Sequence, residues 1–175
     1  MFQRPDDDTS YCALLQEAFL AHAVHLAHFC LMPNHVHLLA YAEHVAQLSG
    51  AMHQLQRRYW FYVRRQYGWT GHLWQGRFHS FPIEVETYPL EAARYIERNP
   101  LEARLVTSLE EYPWSSYRYY VTGQLGPLPL VPTPVYEALG ATALQRQQAY
   151  RRFVETPHPS DRAVRRTLER VAAYA

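Results

Sequence analysis

Along this chain the spacing of apolar positions switches between helical and extended periods. Asp8-Thr9-Ser10 precedes YCALLQEAFLAHAV, where Leu14, Leu15, Ala18 and Phe19 fall near one helical face. A capped amphipathic helix is expected there, with Ser10 or Thr9 accepting from a free first-turn amide. From His25, HLAHFCLM is a short apolar run of strand length; Pro33-Asn34 signals a turn, and HVHLLAYA follows as a second strand. Helical spacing returns from Val45 to about Tyr67 through Leu48, Met52, Leu55, Tyr59 and Tyr62, and Gly68 and Gly71 end it. GHLWQGRFHSFPIEV is expected to be a loop entering a strand. Thr87 would cap a further helix with Tyr88-Pro89 in its first turn, stopped by Pro100. A helical turn in PLEARLV precedes EYPWSSYRYY. LGPLPLVPTP holds four of the 12 prolines and suits an extended linker, ahead of a last helix from about Gln145 to Val154 and an Arg-rich end. The order αββαβα fits a compact α+β domain with a small antiparallel β-sheet flanked by helices.

Composition narrows this further. A chain of 175 residues with 48% hydrophobic and 19% charged residues can bury a core of its own, which excludes a disordered chain. No apolar run reaches the ~18–20 residues of a membrane span, and the start, MFQRPDDDTS, lacks a secretory signal, so a cytoplasmic protein is expected. Cys12 and Cys30 are too few for a disulfide framework or a four-cysteine zinc site.

The net charge of +1 hides blocks of opposite sign, and every basic residue apart from histidine is Arg. Residues 51–83 carry Arg57, Arg58, Arg64, Arg65 and Arg77 with no acid; from Gly140 onward seven arginines face three acids. Such blocks suit local anion-binding surfaces. Arg57, Arg58, Arg64 and Arg65 share one broad face of the long helix, either to track phosphates or as a solvated surface. Aromatics, 14% of the chain, lie among these arginines and suit either base stacking or an aromatic-rich core.

Two constellations carry candidate chemistry. His35-Val36-His37 in a strand projects both imidazoles from one face, with Cα atoms about 6.5–7 Å apart. That spacing lets two rings converge on one divalent ion, or leaves two ordinary polar histidines. In Tyr95-Ile96-Glu97-Arg98-Asn99-Pro100, Tyr95 and Asn99 lie one helical turn apart on a shared face. A tyrosine hydroxyl is a feasible nucleophile and an Asn oxygen a feasible hard ligand; packing and helix closure are the plainer alternatives.

In order and spacing, LMPNHVHLL (31–39), GHLWQGRF (71–78), RYIERNPLEARLV (94–106) and YPWSSYRYY (112–120) resemble the REP-associated tyrosine transposases. These are bacterial, IS200-like relatives of the single-tyrosine HUH transposases, and the likeness spans about residues 6 to 120. It implies a ferredoxin-like HUH endonuclease fold over 1–122, with 123–175 as a Pro-containing linker and Arg-rich helical tail. His35 and His37 match the paired ligands of a catalytic Mg²⁺ or Mn²⁺, Asn99 the third ligand, and Tyr95 the nucleophile. The implied activity is cleavage of single-stranded DNA at hairpins of repetitive extragenic palindromes. It passes through a 5′-phosphotyrosine with a free 3′-hydroxyl, followed by strand transfer.

Gln75 and Arg77, beside Trp74 and Gly76, would contact that DNA, as would Arg57, Arg58, Arg64 and Arg65. The tail arginines Arg151, Arg152, Arg162, Arg165 and Arg166 would either clamp hairpin DNA or solubilise the chain end. A cytoplasmic, nucleoid-associated monomer or homodimer, with no membrane partner, is expected. Family members begin with a strand and a basic glycine-containing segment, whereas here only MFQRPD precedes the first matching helix. This leaves open that the family's first strand is missing, and that a second copy or another segment covers the strand neighbour it would have supplied. The alternatives to the enzyme are a catalytically inactive, N-terminally shortened hairpin-DNA-binding protein and a small metal-binding protein with another substrate.

Overall fold

Residues 1–74, 76, 78–80, 82–83 and 89–156 are described by a computed structural model. The elements run α1 (Pro5–Ala21), β1 (His25–Met32), β2 (His35–Tyr41), α2 (Val45–Tyr67), α3 (Pro89–Glu102), a 3₁₀ turn (Leu109–Glu111), α4 (Tyr117–Thr122), α5 (Pro134–Glu137) and α6 (Ala143–Glu155). This is the expected α+β arrangement, a two-stranded antiparallel sheet flanked by helices.

The first helix begins earlier than the Ser/Thr pattern suggested. Pro5 supplies the fixed φ of a first helical residue, and Arg4 takes the extended N-cap conformation. Asp7 reaches back to accept the backbone N–H groups of Gln3 at 2.7 Å and Arg4 at 2.9 Å. Thr9 and Ser10 therefore lie inside the helix, where Thr9 Oγ1 donates to the Pro5 carbonyl. The four residues ahead of α1 form no strand; the Met1 ammonium and the Phe2 N–H both donate to Pro33 O in the β1–β2 turn.

In the sheet, Cys30 faces His37 and Met32 faces His35, with an irregularity between Leu26 and His28. All of β1 after His25 is buried because helices cover both its faces. Phe29 and Leu31 pack with α1 and α2 through Leu15, Phe19, Leu55 and Tyr59, whereas Ala27, Cys30 and Met32 join Ile96 of α3. Its outer edge is sealed by the motif YPWSSYRYY. Leu31 N–H donates to Trp114 O at 2.9 Å, Ser116 N–H to Phe29 O at 3.0 Å, and Phe29 N–H to Ser116 Oγ at 3.0 Å. The hydroxyls of Tyr112 and Tyr120 donate to Leu31 O and Ala27 O, and Val131 N–H donates to Leu26 O. A segment of this same chain therefore covers one edge of the sheet. Val36 and Leu38 turn their backbone groups to the other edge, where no strand among the described residues pairs.

Pro100 does not stop α3, which continues to Glu102. Proline leaves the Ile96 carbonyl without its helical donor. The Asn99 side chain makes up the loss, donating through Nδ2 to Tyr95 O at 2.7 Å and to Ile96 O at 3.4 Å. Of the expected strand after Gly71, Glu84 to Glu86 lie outside the described residues, as do Thr87 and Tyr88; the described part, up to Ile83, contains no strand. The proline-rich stretch is extended but packed, with Leu128 and Thr133 buried. Tyr136, Tyr150 and Val154 close a second apolar cluster with Tyr117, Tyr120 and Ala93 of α3.

Candidate active site

Strand alternation on β2 turns His35 and His37 toward the face that α3 covers. The two rings meet edge to face, and their Nε2 atoms lie 2.9 Å apart. His35 Nδ1 is 2.7 Å from Asn34 Oδ1, which only accepts, so Nδ1 carries the proton and Nε2 presents a lone pair. Burial lowers the pKa of both rings. For His37, burial and the neighbouring charge of His35 outweigh a hydrogen bond with Asn99 and bring it down to about 4. Both imidazoles are therefore neutral at pH 7, the form that binds a metal.

Across from them, α3 presents Tyr95 and Asn99 one turn apart. The Tyr95 ring stands edge-on to His37, with centroids 5.4 Å apart. Because Asn99 Nδ2 is committed to backbone carbonyls, Oδ1 is the acceptor that remains at the site. The fold thus brings together His35, His37, Tyr95 and Asn99, which are 64 residues apart at their extremes.

The donor set fits a small hard divalent ion. Two ligands about 2.1 Å from one octahedral ion, at right angles, are about 3 Å apart. The two Nε2 atoms already have that separation. No group of three or more His, Cys, Asp or Glu side chains able to hold a metal occurs among the described residues; beside the two histidines stands the amide oxygen of Asn99.

The other site candidates among the described residues are not gathered here. Arg57, Arg58, Arg64 and Arg65 are exposed on α2, across the sheet from the histidines. Arg58 pairs with Glu17, Arg57 lies over the Phe61 ring, and Arg64 lies over the Trp60 ring. Trp74 packs on Tyr59 and donates to Gln56 O, a packing role. Gln75 and Arg77 lie outside the described residues, as do Arg162, Arg165 and Arg166. Arg151 is paired with Glu110 and Glu155.

Behind the tyrosine is a buried polar cluster that the sequence pattern passed over. Glu97 accepts from Ser116 Oγ at 2.6 Å and from Tyr150 Oη at 2.8 Å, and lies 2.9 Å from His28 Nδ1. The signal was present: one His inside an apolar strand, and one Glu with apolar Ala93 and Leu101 a helical turn away on either side, each needing a buried partner.

No curated protein and no solved structure matches the chain. The family model described as Transposase IS200 like matches residues 1–99, from the start of the chain through β1, the histidine strand and α3 as far as Asn99. That match takes in more than half of the chain, which belongs to the IS200-like transposase family.

Proposed function

We propose that the protein is a metal-dependent single-stranded DNA endonuclease and strand transferase, acting at hairpins of repetitive extragenic palindromes. Family membership carries the coarser statement, a transposase-like function with DNA as partner. What most supports the finer one is the meeting of Tyr95 and Asn99 on α3 with the facing Nε2 atoms of His35 and His37.

Tyr95 Oη would attack the scissile phosphorus in line. A P–O bond to tyrosine forms, the P–O3′ bond breaks, the phenol proton is lost, and the departing 3′ oxygen takes up a proton. One strand end is then covalently held and the other is a free 3′-hydroxyl. The phosphodiester energy is kept in the phosphotyrosine, so rejoining needs no nucleotide cofactor. Mg²⁺ or Mn²⁺ on His35, His37 and Asn99 would supply neutralisation of the charge on the phosphate oxygens. Asn34 holds the His35 tautomer through Nδ1, as second partners of metal-binding imidazoles do.

A second contact surface for the strand is the outer face of α2. Its arginines suit phosphates, and Phe61 on α2 and Trp69 just past its C-cap, 50% and 43% exposed, suit stacking on unpaired bases. Among the described residues no helix is long and apolar enough to cross a membrane.

The test is a denaturing gel of the protein mixed with labelled hairpin oligonucleotides under Mg²⁺, Mn²⁺ or EDTA. A metal-dependent shifted band, absent in Tyr95→Phe, is expected. Binding on a native gel with no such band under any ion would leave a hairpin-binding protein without the chemistry.

A further inference from the structure

The helix that carries Tyr95 is gripped from behind by α6. Taking 100° per residue, the centre of Arg94, Glu97 and Arg98 lies about 130° round α3 from that of Tyr95 and Asn99. All three reach α6. Arg94 stacks its guanidinium 4.5 Å from the Phe153 ring and donates to Phe153 O at 3.4 Å. Arg98 donates to Val154 O at 2.9 Å and to Glu155 O at 3.5 Å. Both thereby satisfy carbonyls of the last turn of α6, where the helix dipole favours cations.

Between these arginines, Glu97 accepts the Tyr150 hydroxyl, and both side chains are wholly buried. The same carboxylate also meets His28 on β1 and Ser116 at the N-cap of α4. Contacts from three directions leave the carboxylate one position, and the rotation of α3 follows from it. Burial and the charge of Glu97 push the Tyr150 pKa well up, so its hydroxyl stays a donor.

We propose that Tyr150, acting through Glu97, is a positioning residue that fixes the rotation of α3 and so the presentation of Tyr95 to His37. This rests on the reading of Tyr95 as nucleophile. It assigns a part in the reaction to α6, which lies beyond the matched residues 1–99. A rotation of α3 by about 20° would carry a phenol oxygen about 9 Å from the helix axis by about 3 Å, far outside the tolerance of an in-line attack.

The experiment compares the full chain with Tyr150→Phe. The control is Tyr136→Phe, a buried tyrosine of the same apolar cluster whose hydroxyl donates to Tyr120 O rather than to Glu97. Three quantities are read: the single-turnover rate of the covalent adduct, the oligonucleotide Kd, and amide exchange over residues 91–99. Tyr150→Phe should slow the adduct at least tenfold and speed exchange over 91–99 at least tenfold, with Kd within twofold of the parent. Tyr136→Phe should leave all three within twofold.

Parental rate and exchange in Tyr150→Phe would overturn the proposal, as would a rate that falls only in step with a weaker Kd. Should Tyr150→Phe not fold, Arg98→Gln, at a partly exposed position, is read in the same way and should slow the adduct at least threefold. If the parent chain forms no adduct, it is the endonuclease reading that fails. The exchange of 91–99 then still decides whether α6 holds α3.

Discussion

Two adjacent carboxylates at the start of α1 meet opposite surroundings. Burial alone would raise the pKa of Asp7, but hydrogen bonds from Tyr67, the Gln3 and Arg4 amides and Tyr62 outweigh it and lower the value. Asp8 has no such set of donors. Burial, then the charge of Asp7, pushes it up to about 6. An acid whose folded pKa lies above its unfolded one destabilises the ionised fold. Between about pH 4 and 6 the folded state binds the extra proton, so this group's contribution to stability falls as pH rises and is fully unfavourable above 6. Asp8→Asn is therefore expected to stabilise the protein at pH 7 on the order of 1 kcal/mol after solvent screening. The gain should shrink below pH 6 and vanish near pH 4. Thermal melts of both proteins across that range check it; an equal gain at pH 4 and pH 7 would point to helix propensity instead.

Among the elements, α1 ends in a motif that lacks its usual residue. His22 is the C-cap, Val24 N–H donates to Phe19 O at 2.9 Å, and between them Ala23 takes φ 53°. That closure favours glycine, since a Cβ in the left-handed region costs about 1 kcal/mol. Ala23 is exposed, so no packing is lost on removing its methyl. Ala23→Gly should raise Tm by about 2–4 °C, read by calorimetry; an unchanged or lower Tm would count against strain at this turn.

The element types and most of the order were legible because apolar spacing reports them directly, as in β1, β2 and α2. The ends were less so. The start of α1 rests on Asp7 reaching backward, and the survival of α3 past Pro100 rests on the Asn99 amide. Both are side-chain repairs of the backbone that periodicity does not record.

For the molecule as a whole, residues 123–156 bear on the fold of everything before them. Leu128, Tyr136, Tyr150 and Val154 are buried against β1, α3 and α4. At about 1.5–3 kcal/mol for each fully buried large side chain, their loss rivals the ~5–15 kcal/mol that holds a domain together. A chain of residues 1–122 alone should therefore show no cooperative thermal transition by circular dichroism, where the full chain shows one. A two-state melt of 1–122 would instead make the later segment an appendage.

By itself, the sequence determined what depends on neighbours within a few residues. It set the alternation that turns His35 and His37 to one face, the helical turn that aligns Tyr95 with Asn99, the basic face of α2 and the α+β order. Tertiary structure alone decided which of these features meet. The histidine pair lies against α3 because helices cover both faces of β1, and the α2 arginines stay across the sheet for the same reason. The sealing of β1 by YPWSSYRYY and the cluster of His28, Glu97, Ser116 and Tyr150 were likewise decided at that level. Their partners are as many as 122 residues apart, and a buried donor or acceptor finds its partner only once packing has excluded water.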